Sequence, residues 1–315
     1  MATSHNVTVP PKLGVHLYVY TIHPIIFIMH VCNIGFIVTR RRLHTAGNWM
    51  LASLSLSDAI LLVLLSIRSY WCRWNERDCV KMIPYLDCPV GICYTSSVLS
   101  TLGISIDRYI SVQYSLRYHS IVTKNRVKKS VAFVWIFSSL LSISGSVIWV
   151  ATKQQIFFDI SHYVVHLPCC IFLLVCSTYI RGIRNMHVAK ITQLNRQFGL
   201  KHKQLHILWR LQRSMIGLWR LNVTTAVIVF CVTVLSAIWK YGVLKGNPVV
   251  WVLLRTVFLF YLVSNPIIYV LVTNDLRKEY KAIFRYITRR ARLLTTELRQ
   301  CLIQQLHKGG WVVGF

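Results

Sequence analysis

Seven long apolar runs divide the chain, and this pattern restricts the fold more than any other feature of the sequence. A helix needs about 20 residues to cross roughly 30 Å of hydrocarbon, and each run approaches or exceeds that length. With 55% hydrophobic and 14% charged residues and a mean hydropathy of +0.51, the chain is too apolar for a soluble fold of its size. The sequence therefore predicts an all-α membrane protein, a seven-transmembrane helix bundle. The predicted spans are 17–39, 49–71, 83–106, 130–151, 156–180, 221–239 and 248–272.

The net charge of +27 is concentrated between these spans. Bases crowd residues 40–42, 124–129 and 181–220, which are connections on one side of the membrane. The opposite connections hold scattered bases offset by Glu76, Asp78 and Asp87. By the positive-inside rule, we expect the N-terminus outside and the tail in the cytoplasm. The expected location is the plasma membrane, with several spans and the N-terminus extracellular. Because a nucleic-acid binder would spread its bases over a folded surface, this segregation argues against nucleic acid as a partner.

The chain is predicted to form one bundle with two flanking segments. Residues 1–16 are the extracellular N-terminus, 17–273 the bundle, and 274–315 a cytoplasmic amphipathic helix and basic tail. No removable signal peptide is expected, since the start lacks a basic region and a cleavage site. Asn6 begins an Asn-Val-Thr glycosylation sequence, which is usable if this end is outside. A second such triplet, at Asn222, falls inside an apolar run and should be unreachable.

Polar residues inside the spans are candidates for function, because each costs free energy in lipid unless it faces the bundle. Asp58, in Leu54-Ser-Leu-Ser-Asp58, has no base closer than Arg68 in its own span. It is either part of an internal polar site or a neutral, hydrogen-bonded structural acid, because burial raises the pKa of a carboxyl group. The histidines within the spans are scattered, and we interpret them as helix-packing or interfacial residues. They are His23, His30, His162 and His166.

One stretch combines an adjacent acid and base with a distinctive loop. Asp107-Arg108-Tyr109 closes the third span, and Tyr114-Ser-Leu-Arg-Tyr-His-Ser-Ile-Val-Thr123 follows it. The neighbouring opposite charges lower the cost of placing either charge near lipid. This stretch resembles the third-helix end and second inner loop of rhodopsin-like (class A) G-protein-coupled receptors. The loop is most similar to the melanocortin, cannabinoid, lysophospholipid and adenosine receptor group.

The resemblance implies a heterotrimeric G protein as the cytoplasmic partner and an unknown extracellular ligand. The arginine would engage the G protein when the sixth helix moves outward, and Leu116 would dock in a pocket of its α subunit. The residues expected at this coupling surface are Asp107, Arg108, Tyr109, Leu116 and Tyr179. Similarity to the family also implies an internal sodium and water site. Its residues would be Asn33, Asp58, Ser97 and Asn265. No other cofactor or metal is expected.

Asn265-Pro266-Ile-Ile-Tyr269 resembles the family's seventh-helix hinge, in which Pro266 kinks the helix and Tyr269 completes the motif. A short basic amphipathic helix follows, with apolar residues at helical spacing and bases between them. Such a helix lies on the membrane surface in contact with lipid. Its apolar residues are Leu276, Tyr280, Ile283, Phe284 and Ile287, and its bases are Arg277, Lys278, Lys281 and Arg285.

Cysteines in the spans, such as Cys32, Cys176 and Cys231, do not form a disulfide framework. The family's usual bridge to the second outer loop is absent, since Ile83 occupies its position and that loop is only 152–155. Cys72 and Cys79 flank the first outer loop and either pair or remain free thiols. Cys301 in the tail is a candidate for palmitoylation.

Several departures from the family bear on ligand and activation. The sixth span has Phe230-Cys-Val-Thr-Val-Leu-Ser236 in place of Cys-Trp-x-Pro, and no acidic residue precedes it to pair with Arg108. We therefore expect appreciable ligand-free activity. In the ligand pocket, Val90 replaces the aspartate of amine receptors and Leu259 the lysine of retinal proteins. Asp87 matches an acidic residue of melanocortin receptors, but Arg68 and Ile83 replace the others.

The resulting prediction is a receptor that transmits an extracellular signal to G proteins, and not an enzyme. A small membrane transporter would show inverted repeats or broken helix pairs, and an intramembrane enzyme a cluster of carboxylates or histidines in mid-span. The sequence shows neither pattern. A receptor-like seven-helix protein that no longer couples remains an alternative, because such a protein keeps the fold while its activation motifs change.

Overall fold

The computed structural model describes residues 21–74, 76–114, 117–198, 202–242, 247–272 and 274–308. Within these ranges, side chains are described except at 76–81, 194–198, 202–218, 268–269, 271–272, 274–275, 296–308 and single positions elsewhere. The described chain is helical throughout, with short connections. Its long helices are α1 His23–Thr39, α2 Ala46–Trp74, α3 Glu76–Gln113, α4 Lys124–Thr152, α5 Ile156–Phe198, α6 His202–Tyr241, α7 Pro248–Val272 and α8 Asn274–Lys308. A one-turn helix, Tyr118–Ile121, lies between α3 and α4.

Helix ends follow local chemistry. Pro24 lies in the first turn of α1, where a missing N–H costs nothing. Thr123 caps α4, because its hydroxyl accepts a hydrogen bond from the backbone N–H of Arg126. The Asn247 side chain accepts from the N–H of Val249 at 2.8 Å and caps α7 in the same way. Lys153 ends α4 in the left-handed conformation with φ of 58°, which turns the chain sharply into α5.

The predicted spans coincide with helices of the structure. In the described chain, five helices, α2 to α6, contain stretches long and apolar enough to cross a membrane. The apolar stretches of α1 and α7 are shorter, at His23–Thr39 and Val252–Ile267. Residues 17–20 of the predicted first span lie outside the described residues. The connection between α4 and α5 is as short as predicted, since α4 ends at Thr152 and α5 begins at Ile156.

The bundle has apolar side chains outside and many polar side chains inside. Phe133, Leu140, Val164 and Phe260 are each 65% exposed on the helix surfaces. In water such a surface would be costly, whereas in a bilayer it faces lipid. Buried hydroxyls and amides line the interior instead, where neighbouring helices satisfy them. Examples are Ser57, Ser97, Thr101, Ser142, Ser177 and Asn265.

Two apolar clusters hold the helices together. The larger one joins α1, α2, α3, α5, α6 and α7 around Leu61, Val98, Cys170, Val229 and Leu262, most of which are inaccessible to solvent. The second lies towards the inner end and includes Ile37, Leu54 and Leu276. The Trp135 indole of α4 donates a hydrogen bond of 3.0 Å to Ser53 of α2, which fixes α4 against the bundle.

Helices α5 and α6 extend well beyond their predicted spans. α5 continues to Phe198, and α6 begins at His202. The segment between residues 181 and 220 contains many bases and no Asp or Glu. It also lacks proline and has helix-forming residues at most positions, so nothing local ends either helix at the membrane boundary. The membrane-spanning parts therefore continue into two basic helices.

The eighth helix is longer than predicted, since α8 runs for 35 residues. No proline interrupts the sequence, and the first glycines, which favour helix ends, come at 309 and 310. The predicted apolar residues divide into two groups. Leu276 is fully buried and Tyr280 partly buried against α1, whereas Ile283, Phe284 and Ile287 are exposed, as expected for a helix on a membrane surface.

Candidate functional site

The first candidate site surrounds Asp58 in the middle of the bundle. The Ser97 hydroxyl of α3 donates a hydrogen bond of 2.5 Å to Oδ1 of Asp58. The Asn265 amide of α7 donates one of 2.8 Å to Oδ2. All three side chains are fully or almost fully buried. The structure therefore brings together three of the four residues predicted for the internal site.

Two further residues complete this polar cluster, and sequence reasoning missed both. The Tyr261 hydroxyl lies 2.6 Å from Ser97 Oγ. His30 Nε2 lies 3.9 Å from Asp58 Oδ2 and 3.3 Å from the carbonyl of Leu262. His30 had been interpreted as a helix-packing residue. Its position one turn before Asn33 was the available signal, because residues three apart share a helix face.

Asn33, the fourth residue predicted for the internal site, is also buried, and its amide oxygen accepts a 2.8 Å hydrogen bond from Tyr280 of α8. No hydrogen bond joins it to Asp58 within the described chain. The Tyr280 ring also meets Phe36 edge to face at 5.1 Å. Burial raises the pKa of the Tyr280 hydroxyl, so it remains a donor at physiological pH.

Ion pairs reinforce this junction between α1 and α8. Arg40 Nε lies 3.5 Å from Glu279 Oε2, and Arg42 also binds the same carboxylate. Glu279 is almost fully buried, whereas both arginines are largely exposed. The basic triplet after α1 therefore anchors the start of α8, a role that the positive-inside rule alone does not indicate.

The residues around Asp58 fit the sodium ion that the resemblance implies. They offer a carboxylate, the Ser97 hydroxyl and the Oδ1 atom of Asn265, which is buried and has no hydrogen-bond partner in the described structure. Hard cations prefer such oxygen ligands. Among the described residues, no three His, Cys, Asp or Glu side chains are grouped as a transition-metal site would require.

The second candidate site is at the inner end of α3. Arg108 Nε lies 3.7 Å from Oδ2 of Asp107, and the Tyr118 hydroxyl donates a hydrogen bond of 2.8 Å to Oδ1. Burial and this bond both raise the pKa of Tyr118, so it stays protonated and donates. Asp107 is buried, and 32% of the Arg108 side chain is exposed. The one-turn helix in the inner loop thus holds the acid of the pair.

Gly47 at the start of α2 leaves room for the side chains of Asp107 and Arg108. A Cβ atom there would lie 2.7 Å from Asp107 Oδ2 and 3.6 Å from Arg108 Nη2. The first distance is shorter than real Cβ contacts allow, so only glycine permits this close approach.

The remaining residues predicted for coupling are partly described. The rings of Tyr109 and Tyr179 meet edge to face with centroids 6.2 Å apart, which joins α3 and α5. Leu116 lies outside the described residues. Pro266 is buried within α7, and the Tyr269 side chain is outside the described set. α6 contains no proline, as the sequence predicted.

A neutral contact joins α3 to α6 near this site. The Ser105 hydroxyl donates a hydrogen bond of 2.7 Å to Asn222 Oδ1. Asn222 is only 2% exposed, consistent with the prediction that its glycosylation triplet is unreachable. This contact was not predicted, because a neutral serine and asparagine give no sign in the sequence that they meet.

At the end of the bundle opposite to Arg108, Arg68 and Asp87 form a close pair. Arg68 Nε is 2.9 Å from Asp87 Oδ1, and Nη2 is 3.3 Å from Oδ2. Asp87 was assigned to an outward connection, but it lies within α3 and is mostly buried. Leu259 belongs to the larger apolar cluster and Val90 packs against it.

The structure describes only some of the residues predicted to form a disulfide or to be modified. Cys72 forms a disulfide. The side chains of Cys79 and Cys301 lie outside the described set, and so does Asn6. The Cys72–Cys79 pairing, palmitoylation at Cys301 and glycosylation at Asn6 stay predictions.

Histidines and an acid connect the outer halves of the helices. His162 Nε2 lies 3.1 Å from Ser142 Oγ, and His166 Nε2 lies 3.2 Å from Thr95 Oγ1. These contacts agree with the interpretation as packing residues. Asp159 of α5 accepts hydrogen bonds from Lys240 at 2.7 Å and Tyr241 at 2.5 Å, which tie it to the outer end of α6.

Comparison with known proteins agrees with this geometry. The profile of the family described as 7 transmembrane receptor (rhodopsin family) matches residues 31–269. The match extends from α1 to Tyr269 in α7, which is more than half of the chain. The chain therefore belongs to the rhodopsin family of seven-transmembrane receptors.

One curated relative is the histamine H2 receptor of the dog, Canis lupus familiaris. It is 28% identical over 264 residues, which cover 78% of this chain and 72% of the relative. The protein is a G-protein-coupled receptor of the plasma membrane, with several spans, an extracellular ligand and no enzymatic role. The prediction of a melanocortin-like subgroup stays a prediction.

Proposed function

We propose that this receptor activates a heterotrimeric G protein through the inner ends of α3, α5 and α6, and that it has measurable activity without ligand. The observation that carries the proposal is the arrangement around Arg108. Its carboxylate partner is the adjacent Asp107, 3.7 Å away, and not an acid of α6, which contains none. In the described structure, the neutral Ser105–Asn222 hydrogen bond joins α6 to α3.

The strength of these contacts supports a small free-energy gap between the inactive and active states. A neutral hydrogen bond contributes about 0.5–1.5 kcal/mol, and a bond to a charged group about 1.5–3 kcal/mol. A gap of a few kcal/mol between two states leaves about 0.1–10% of the molecules in the minor state. A receptor whose helices α3 and α6 are held by a neutral bond therefore populates its active state more than one held by an ion pair.

The coupling surface in this proposal combines Arg108, the Tyr109–Tyr179 contact and Leu116 of the inner loop. Arg108 is partly exposed at the inner end of α3, where a G protein can reach it. Leu116 supplies an apolar contact. The basic inner extensions of α5 and α6 attract acidic surfaces and anionic lipid headgroups.

The ligand of the dog relative, as its name states, is histamine, and we do not assign histamine to this chain. An amine needs a carboxylate that is available to it. Val90 replaces the aspartate of amine receptors, and Asp87, a turn away, is already bound by Arg68. A ligand other than a simple amine fits this arrangement better.

The same proposal places the N-terminus outside and the tail in the cytoplasm. The concentration of bases at 40–42, 124–129 and 181–220 supports this orientation. The proposed organisation is residues 1–16 outside, the bundle at 17–273, and 274–315 inside. Enzymatic deglycosylation should increase the mobility of the expressed protein, and Asn6→Gln should abolish that change; a tag at residue 1 that stains only after permeabilisation contradicts the orientation.

The deciding experiment measures basal second messenger across an expression titration in cells, for wild type and Arg108→Ala. We expect output to rise with the surface level of wild type and to be largely lost in Arg108→Ala. Lys153→Ala is the control, because Lys153 is an exposed base at the turn between α4 and α5, away from the proposed coupling surface. A flat response for wild type in all G-protein classes would reject ligand-free activity.

A further inference from the structure

An apolar cleft lies between the start of α1 and the last turns of α2. It has a volume of about 480 Å³, within the range of about 300–1,000 Å³ typical of small-molecule sites. Its lining side chains include Phe27, Val63, Ile67, Tyr70 and Trp71, which are 37% to 55% exposed on the helix surfaces. Because these surfaces face lipid in the membrane, the cleft is open to molecules of the bilayer.

Two polar side chains, His23 of α1 and Ser66 of α2, also line this cleft. His23 Nδ1 lies 3.0 Å from Ser66 Oγ. The Ser66 hydroxyl donates its proton to the backbone carbonyl of Leu62 at 2.8 Å, so towards His23 it can only accept. The Nδ1 atom therefore carries the proton of the ring. In the neutral ring, the Nε2 atom is then an acceptor.

This acceptor has no partner in the described structure. The Nδ1 contact is the hydrogen bond that the His23 ring makes with described residues, and none of their donors reaches Nε2. His23 is only 5% exposed, so little water can reach the ring. A buried acceptor without a hydrogen bond costs free energy. A ligand that donates one hydrogen bond and is otherwise apolar would satisfy His23 and fill the cleft.

The arrangement of the lining favours a rigid ring system over a flexible chain. A flexible chain loses rotamer freedom when a cleft holds it, whereas fused rings have little to lose. Tyr70 and Trp71 lie in the last two turns of α2 and are typical of a membrane–water interface. Phe27 and Val63 lie about one turn deeper than His23 and Ser66. A sterol has this order, with its hydroxyl near the interface and its rings deeper.

We propose that the cleft between α1 and α2 is a binding site for a membrane sterol. The sterol hydroxyl donates a hydrogen bond to His23 Nε2, and the rings lie along Phe27, Val63 and Ile67. Ser66 is a positioning residue, because it fixes the tautomer in which Nε2 accepts. The cleft is separate from the coupling surface around Arg108, so sterol binding goes beyond the proposed signalling function and is tested without it.

The test uses the purified full-length receptor in phosphatidylcholine nanodiscs and a cholesterol analogue with a photoreactive diazirine on its rings. After irradiation, mass spectrometry should locate the adduct on α1 near Phe27 or on α2 near Val63. Unlabelled cholesterol in excess should abolish the labelling. Cholesteryl methyl ether, which cannot donate a hydrogen bond, should compete roughly tenfold less well. Octadecanol, which has the hydroxyl without the rings, should also compete less well than cholesterol.

Matched variants test the acceptor and the cleft separately. His23→Phe keeps an aromatic ring without the acceptor and should weaken sterol binding roughly tenfold. His44→Phe makes the same change beyond the other end of α1 and should leave binding unchanged. Val63→Trp should block the cleft, whereas Ile143→Trp adds the same side chain on a lipid-facing part of α4.

Variants of Ser66 provide a second test of the acceptor if His23→Phe fails to fold. Ser66→Ala removes the group that accepts the Nδ1 proton, so the His23 ring is free to change its tautomer and sterol binding should weaken. Ser66→Thr retains the hydroxyl and should preserve binding. Equal binding by the alanine and threonine variants would contradict the positioning role.

Three results would overturn the proposal. Adducts on other helices only, or no adduct at all, would exclude the site. Equal competition by cholesterol and its methyl ether would show that the hydroxyl donates no hydrogen bond to the receptor. Equal competition by octadecanol would show that the cleft takes a flexible chain and not a sterol. Because binding is measured on purified receptor, these failures are independent of G-protein activation in cells, which tests the proposed function.

Discussion

Ser105 of α3 donates a hydrogen bond of 2.7 Å to Asn222 of α6, and both side chains are buried. The contact is polar but uncharged, and it lies less than one turn before Asp107 and Arg108. A buried hydrogen bond of this kind holds two helices together without the desolvation cost of an ion pair. It thus restrains α6 in a receptor whose sixth helix has no acid.

The first prediction removes this restraint. Ser105→Ala should raise basal second-messenger output roughly two- to tenfold, because the lost bond contributes about 0.5–1.5 kcal/mol to one of two states. Ser144→Ala is the matched control, since Ser144 is exposed and bonds only within α4. Basal output should be compared at equal surface expression. Unchanged output in Ser105→Ala would mean that α6 is restrained elsewhere.

The second prediction concerns the acid beside Arg108. Asp107→Asn should raise basal output, because it removes the charge that holds the Arg108 guanidinium locally. Tyr118→Phe should have a smaller effect in the same direction, because it removes one hydrogen bond to the same carboxylate. The raised pKa of Tyr118 keeps it a donor, so its contribution should not vary between pH 6 and about 9. A decrease in basal output for Asp107→Asn would contradict this role.

The third prediction tests the space above Gly47. Gly47→Ala should displace Asp107 and so raise basal output, because the new Cβ atom would lie 2.7 Å from its Oδ2 atom. Gly35→Ala and Gly182→Ala introduce the same methyl group where no described atom lies within 4 Å. Both controls should behave like wild type in expression and signalling. If Gly47→Ala shares their behaviour, the pair tolerates the displacement.

The fold could be predicted from the sequence because span length and loop charge are strong, local signals. The seven apolar runs coincide with helices, and the four-residue connection at 152–155 matches the turn at Lys153. The lengths of α5, α6 and α8 could not be predicted in the same way. A helix that leaves the membrane loses its apolar signal while keeping its helical propensity, so composition marks the boundary of the membrane and not that of the helix.

The candidate sites, like the fold, could be predicted from the sequence only in part. Asp58, Ser97 and Asn265 could be grouped because family resemblance and the cost of burial indicate the same residues. His30 and Tyr261 were missed, since a single polar residue on an apolar face gives no sign of its distant partner. The bond between Asn33 and Tyr280 was not predicted, because the two residues lie 247 positions apart in the sequence. Pairings across such distances depend on tertiary packing alone.

The last prediction concerns sodium at Asp58. If sodium binds there, replacing it with choline should lower the unfolding midpoint of the purified receptor. Sodium at ten times its Kd would stabilise the folded state by about 1.4 kcal/mol, which corresponds to a shift of roughly 3 °C. Asp58→Asn should abolish this dependence, because it removes the negative charge that attracts the ion.

The variant should still fold, since an asparagine at position 58 can accept from Ser97 and donate to the Oδ1 atom of Asn265, which has no partner in the described structure. Asp159→Asn is the matched control. It neutralises another buried aspartate, which is bound by Lys240 at the outer end of α5 and α6. Sodium dependence should therefore survive in that variant, even if the midpoint itself falls. Equal midpoints of wild type in sodium and choline would instead indicate that hydrogen bonds and His30, 3.9 Å away, are sufficient to stabilise Asp58 without an ion.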